Sequence, residues 1–205
     1  MTDYMTHLRK DKVFGKIVTE PLPPLVKAKN PFNELVASII CQQLSVKAAR
    51  VIHGRFIDLH GGKYPAPKKV LLTAHNDLRN VGMSNSKAQY VKNVAAFAVE
   101  NGMTLRQLNK MQDEEVQAYL TQIKGVGRWT VEMLMMFHLD RPDVFSIDDL
   151  GIQQAMAALY KWDTTDKKKL KVQMLKTSAR WQPYRSYACR YLWRWKDMKL
   201  KDKKM

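Results

Sequence analysis

The sequence predicts an all-α protein. Apolar residues recur at helical spacing along almost the whole chain, the alternation expected of half-buried strands is nearly absent, and capping residues stand at the edges of the periodic runs.

Asn30 and Pro31 form an N-cap and first-turn pair ahead of Phe32, Leu35, Val36, Ile39 and Ile40, which share one helical stripe. Ser45 opens a second helix carrying Val51, Ile52, Phe56 and Leu59, and Gly61-Gly62 stops it. The proline-containing segment that follows reads as a loop. Ser84 or Ser86 caps a helix through Tyr90, Val91, Val94 and Ala98, with Gly102 just past its end. Thr104 starts a further helical stretch, Asp113 another that reaches Ile123, and Arg128 one that runs to His138. The stretch DRPDVFSI is irregular, Asp148 begins the next helix, and Arg185 to Trp195 form a late, aromatic-rich one before a basic tail at about residues 196–205.

With 205 residues the chain is long enough for one substantial core, or for two interleaved lobes sharing one. Its 35 Lys and Arg face 19 Asp and Glu, giving a formal net charge of +16 that calls for a polyanionic partner. Nucleic acid is the first candidate and an anionic membrane surface the second. Charge alone does not choose, because a run such as DKKKLK (Asp166 to Lys171) also serves as plain solvated surface. Cys41 and Cys189 lie in apolar helical contexts and read as free, buried thiols of a reducing compartment. Two thiols cannot hold a four-cysteine iron–sulfur cluster. Neither a signal-peptide core nor a span-length apolar run is present, so an intracellular, soluble protein is expected.

In YLTQIKGVGRWTVEMLMMF, a helix to Ile123 and a helix from Arg128 are joined by the very short turn around Gly125-Val126-Gly127. Glycines let backbone approach another molecule closely, and the amides that open the second helix form a site for one phosphate. An ordinary αα-hairpin ended by a glycine pair is the other reading. A second stretch, VFSIDDLGI, sets Asp148 and Asp149 among Val144, Phe145, Ile147, Leu150 and Ile152 at a helix start. First-turn carboxylates stabilise a helix by about 1 kcal/mol each, so a structural role is open to both.

Together the hairpin and the Val-Phe-x-x-x-Asp-Leu-Gly-Ile segment resemble the helix-hairpin-helix DNA glycosylase superfamily. Within it the chain is most similar to the 3-methyladenine DNA glycosylase II (alkylbase) branch, in a compact form without the amino-terminal sheet domain of longer members. The likeness begins at HLRKDKVFGKIV, continues through ELVASIICQQLSVKAA and VGMSNSKAQYV, and ends at RWQPYRSYACRYLWRW. It implies a two-lobed helical bundle with a helix-hairpin-helix motif and a cleft between the lobes.

The activity implied is a monofunctional DNA glycosylase that hydrolyses the N-glycosidic bond of alkylated purines in base excision repair. Asp149 takes the catalytic position, while Asp148 is left as the helix N-cap. Bond cleavage builds positive charge on the sugar, which a fixed carboxylate stabilises. Trp129, Met133, Trp193 and Gln42 take substrate-pocket positions, where aromatic rings attract a cationic base; Met133 stands where relatives place a tyrosine. Gln43 takes the position of the wedge that fills the gap left by the flipped nucleotide. Lys124, Gly125, Val126, Gly127 and Arg128 take the DNA-backbone positions, and the carbonyls of Thr121, Ile123 and Gly125 those that hold a monovalent cation.

Trp129 also replaces the Schiff-base lysine of bifunctional relatives, so no strand cutting is expected. No other cofactor and no iron–sulfur cluster is implied; the partner implied is double-stranded DNA with a damaged base, bound by a monomer without a membrane. Trp181, Tyr184, Tyr187, Tyr191 and Trp195 are expected to pack the core with their polar tips at the surface. Two alternatives stand beside this reading. One is a uracil or hypoxanthine glycosylase of the same fold. The other is a non-catalytic helix-hairpin-helix DNA-binding protein, which would have no need of a carboxylate beside a polyanion.

Overall fold

The computed structural model describes residues 3–25 and 30–202. Among these the regular structure is entirely helical. In order the helices are α1 (Asp3–Leu8), α2 (Pro31–Cys41), α3 (Val46–Leu59), α4 (Pro67–Leu72), α5 (His75–Asn80), α6 (Asn85–Glu100), α7 (Leu105–Leu108), α8 (Asp113–Thr121), α9 (Arg128–Phe137), α10 (Leu150–Tyr160), α11 (Lys167–Ser178) and α12 (Arg185–Asp202). Short 3-10 turns lie at Phe14–Ile17 and Ala179–Trp181. None of the described helices is long and apolar enough to cross a membrane.

Most starts follow from side-chain caps. Asn30 Oδ1 accepts the Phe32 N–H at 3.0 Å, and Ser45, Ser84 and Thr104 each accept the amide three residues on, at 3.3, 3.2 and 3.1 Å. Ser84, not Ser86, is therefore the cap of α6.

Two stretches that read as loop or lysine surface are helical. Pro67 fills the first-turn position of α4, whose Val70 is fully buried. Asp166 caps α11 by accepting the amides of Lys168 and Lys169, and Leu170 and Met174 bury its inner face. The last helix runs past Trp195 to Asp202, so the expected basic tail begins as helix; residues 203–205 lie outside the described residues. Both cysteines are free, but only Cys189 is buried, while Cys41 is exposed at the end of α2.

The chain divides into two compact units, Val26–Leu139 and the pair of segments Met1–Leu25 with Asp140–Met205. In the continuous unit α2 is central: it packs on α3, α6 and α9, and its stripe Phe32, Leu35, Val36, Ile39 and Ile40 is buried. Full burial of such side chains contributes about 1.5–3 kcal/mol each.

In the two-segment unit α10 packs on α11 and α12. Phe14 meets Trp181 in a tilted pair with centroids 4.4 Å apart and Tyr4 stacks on Tyr187 at 4.3 Å, while the buried Tyr191 donates a hydroxyl hydrogen bond to the Glu20 carbonyl at 2.8 Å. Trp181 is buried whole, tip included. Asp11 joins the segments: Oδ1 accepts the Val13 and Phe14 amides at 3.0 and 3.1 Å, and Oδ2 meets the Tyr160 hydroxyl at 2.7 Å and Arg180 at 3.1 Å.

Candidate active site

The two-segment unit holds the aspartate pair. Asp149, not Asp148, is the N-cap of α10: its backbone is extended (φ −68°, ψ 119°) and its Oδ1 accepts the Ile152 N–H at 2.8 Å. The same oxygen accepts the indole N–H of Trp193 at 3.0 Å. Asp149 is buried, with 9% of its surface exposed. Asp148, which the sequence places at the cap, lies outside the helix in an exposed pair with Lys171 Nζ at 2.5 Å. Either aspartate is chemically able to cap, and the choice is made by burial of Ile152 and by the indole. Trp193 is thus a donor to the carboxylate as well as a ring.

Gly151 makes this contact possible. A Cβ there would lie 3.0 Å from Asp149 Oδ1 and 3.2 Å from both Cδ1 and Nε1 of Trp193. The segment leading to Asp149 is strapped to the start of α12. Arg185 grips Asp143 through two bonds of 2.8 Å, and Ser186 accepts the Val144 N–H at 2.9 Å while donating to the Arg141 carbonyl at 2.6 Å. Sequence reasoning missed Gly151, Asp143, Arg185 and Ser186. The detectable signal was a glycine in the first turn of a helix, where it costs about 1 kcal/mol relative to alanine.

The continuous unit holds the hairpin. Between α8 and α9 the Val126 N–H donates to the Ile123 carbonyl at 2.9 Å. Gly125 has φ +105°, and a Cβ on it would fall 2.2 Å from the ring of Tyr90, so only glycine fits. Asn93 Nδ2 donates to the Lys124 carbonyl at 2.9 Å. Gly127 is different: its backbone is extended (φ −90°, ψ 167°) and a Cβ there would meet nothing within 4 Å. Open space lies before the N-terminus of α9, whose amides and dipole favour an anion.

α9 also carries Trp129, 43% exposed, the part-buried Met133, and Arg128, whose Nε donates to the buried Glu132 carboxylate at 2.8 Å. Glu132 is a further residue that sequence reasoning missed, hidden in an apolar helical stripe. Gln42 is the C-cap of α2 and extends Nε2 to Thr130 Oγ1, beside Trp129, at 3.5 Å. Gln43 is exposed, with φ 57°. The structure therefore brings Gln42 to the start of α9 in one unit, and Asp149 to Trp193 in the other. No group of three or more His, Cys, Asp or Glu among the described residues is arranged to hold a metal ion.

A short glycine hairpin followed by a capped, buried aspartate is the pattern of a known class. Residues 36–180 match the HhH-GPD superfamily of base excision DNA repair proteins, and the chain belongs to that family. It is 35% identical over 177 residues to the putative DNA-3-methyladenine glycosylase YfjP of Bacillus subtilis, an alignment covering 83% of this chain and 61% of that protein. The chain thus spans less than two thirds of that relative's length.

Two solved structures are similar along nearly all of both chains. The 3-methyladenine DNA glycosylase Mag1 of Schizosaccharomyces pombe, in complex with abasic DNA, superposes with a TM-score of 0.81 at 33% identity, covering 94% of this chain and 95% of that one. A DNA-3-methyladenine glycosidase of Bacillus halodurans gives a TM-score of 0.85 at 34% identity, covering 98% and 92%.

Proposed function

We propose that the protein is a monofunctional DNA-3-methyladenine glycosylase, a hydrolase that releases alkylated purines from double-stranded DNA inside the cell and acts as a monomer. The observation that carries this reading is Asp149, a buried carboxylate in a strongly basic chain, held by the Ile152 amide and the Trp193 indole through one oxygen.

Such a carboxylate beneath C1′ stabilises the positive charge that grows on the sugar as the C1′–N bond breaks. The bonding pair leaves with the base, already cationic through alkylation. Water adds its oxygen to C1′ and gives up a proton that Asp149 directs to solvent. In the continuous unit Trp129 and Met133, with Gln42, are proposed to contact the flipped base, and in the two-segment unit Trp193 is proposed as a base-contacting ring in its own right. Gln43 would fill the gap in the duplex.

The hairpin from Lys124 to Arg128 would grip phosphate through its backbone. The carbonyls of Thr121, Ile123 and Gly125 would hold a monovalent cation beside it. The Ile123 carbonyl accepts the Val126 amide at 2.9 Å, and a carbonyl oxygen has two lone pairs.

The test compares wild type with Asp149→Asn on duplexes carrying methylated purines, hypoxanthine or uracil, scoring abasic sites. Asparagine is as good an N-cap as aspartate, so the fold is preserved. Wild type should release methylpurines with no strand break until alkali is added. The variant should still bind DNA and lose on the order of 10²–10³ in rate. Undiminished release by the variant would overturn the assignment of Asp149. Release of uracil or hypoxanthine alone would select the other substrate class.

A further inference from the structure

Lys87 lies in the first turn of α6, and its ammonium is directed to the end of another helix. Nζ donates to the carbonyls of Ile40 at 2.9 Å and Gln42 at 2.5 Å, at the C-terminus of α2. A cation at that end is favoured by the helix dipole and satisfies carbonyls that lack an intrahelical donor.

Directly beyond, the chain turns sharply. The Leu44 N–H reaches back to the Cys41 carbonyl at 3.3 Å, and Gln43 takes φ 57°, a left-handed conformation that a residue other than glycine holds only when its surroundings impose it. The turn presents Gln43 to solvent and is followed by Val46, 80% exposed, and by the exposed Lys47 and Arg50. A stiffened turn with a protruding side chain and a cationic rim suits entry into a nucleic-acid duplex better than packing against protein.

The same face of α6 supports the hairpin. Tyr90 closes on Gly125 and Asn93 holds the Lys124 carbonyl, so supports at positions 87, 90 and 93 lie along one stripe of about 9 Å.

We propose that Lys87 is a positioning residue: it fixes the turn between α2 and α3 so that Gln43 enters the gap left by a flipped nucleotide, while α6 keeps that turn at a set spacing from the hairpin. The proposal rests on the function given above. A duplex with a tetrahydrofuran abasic analogue opposite 2-aminopurine reports insertion by fluorescence and needs no chemistry.

Wild type should change that fluorescence on binding. Lys87→Met at saturating protein should lose most of the change while binding undamaged duplex as wild type does, and should release alkylated purines about tenfold more slowly. Lys87→Arg should recover part of the signal, and Lys87→Met should add no further loss in a Gln43→Ala background. Lys87→Gln, which keeps a donor without the charge, gives the same direction of change should the methionine variant fold poorly. A full fluorescence change in these variants, losses that add to those of Gln43→Ala, or no change with wild type would overturn the proposal. A wild type that alters the fluorescence but releases no base would remove the hydrolytic reading and leave the role of Lys87 standing.

Discussion

One oxygen of Asp149 has two partners, since it caps α10 and accepts a hydrogen bond from the Trp193 indole, and in the proposed function it also belongs to the site. Gly151 guards that arrangement, and it sets stability and activity in opposition. Gly151→Ala should add up to about 1 kcal/mol of helix propensity, offset in part by the close approach to Trp193. The displaced carboxylate should nevertheless lose activity, on the order of 10²-fold. Thermal unfolding alongside a base-release assay checks both, and unchanged activity would show that the contact is dispensable. Asp149 could be singled out in the sequence because its position after the hairpin matches a motif. Its role as cap was not, because Asp148 is equally able and the choice depends on an indole brought from α12.

Among the elements, the hairpin shows two glycines doing unlike jobs. Gly125→Ala puts a methyl group into the Tyr90 ring at φ +105°, and overpacking of this kind costs about 1–3 kcal/mol. Its melting temperature should fall. Gly127→Ala meets only open space and an ordinary backbone angle, so its melting temperature should stay near that of wild type. A bulkier residue at 127 should weaken binding to every DNA sequence alike, measured by anisotropy on unrelated duplexes. The long helices were readable because stripes such as Phe32 to Ile40 and caps such as Ser45 carry local signals. α4 and α11 were not: one is short, and the other is mostly lysine on its outer side, so Leu170 and Met174 define it only through the neighbours they meet.

For the whole molecule, a net charge of +16 makes affinity for DNA a function of salt. The logarithm of the binding constant should fall linearly with the logarithm of salt concentration, with a slope near −0.9 for each phosphate engaged; a flat response would rule out counterion release. Acid stability should centre on Asp11. Burial pushes its carboxyl up, but the Phe14 amide, the Tyr160 hydroxyl, the Val13 amide and Arg180 together outweigh burial and hold it below the usual 3.8. A folded value below the unfolded one stabilises the protein above about pH 4 and ceases to do so as pH drops through the lower value. Asp11→Asn should therefore lower the melting temperature at pH 7 and narrow its difference from wild type at pH 3.

Because one unit is continuous while the other joins residues from both ends of the chain, the two cannot mature together during translation. The continuous unit has its whole sequence once residue 139 leaves the ribosome, whereas the aspartate waits for α12 to emerge and supply Ser186 and Trp193. In a nascent chain the hairpin would therefore be in place before the Asp149 carboxylate had its indole donor.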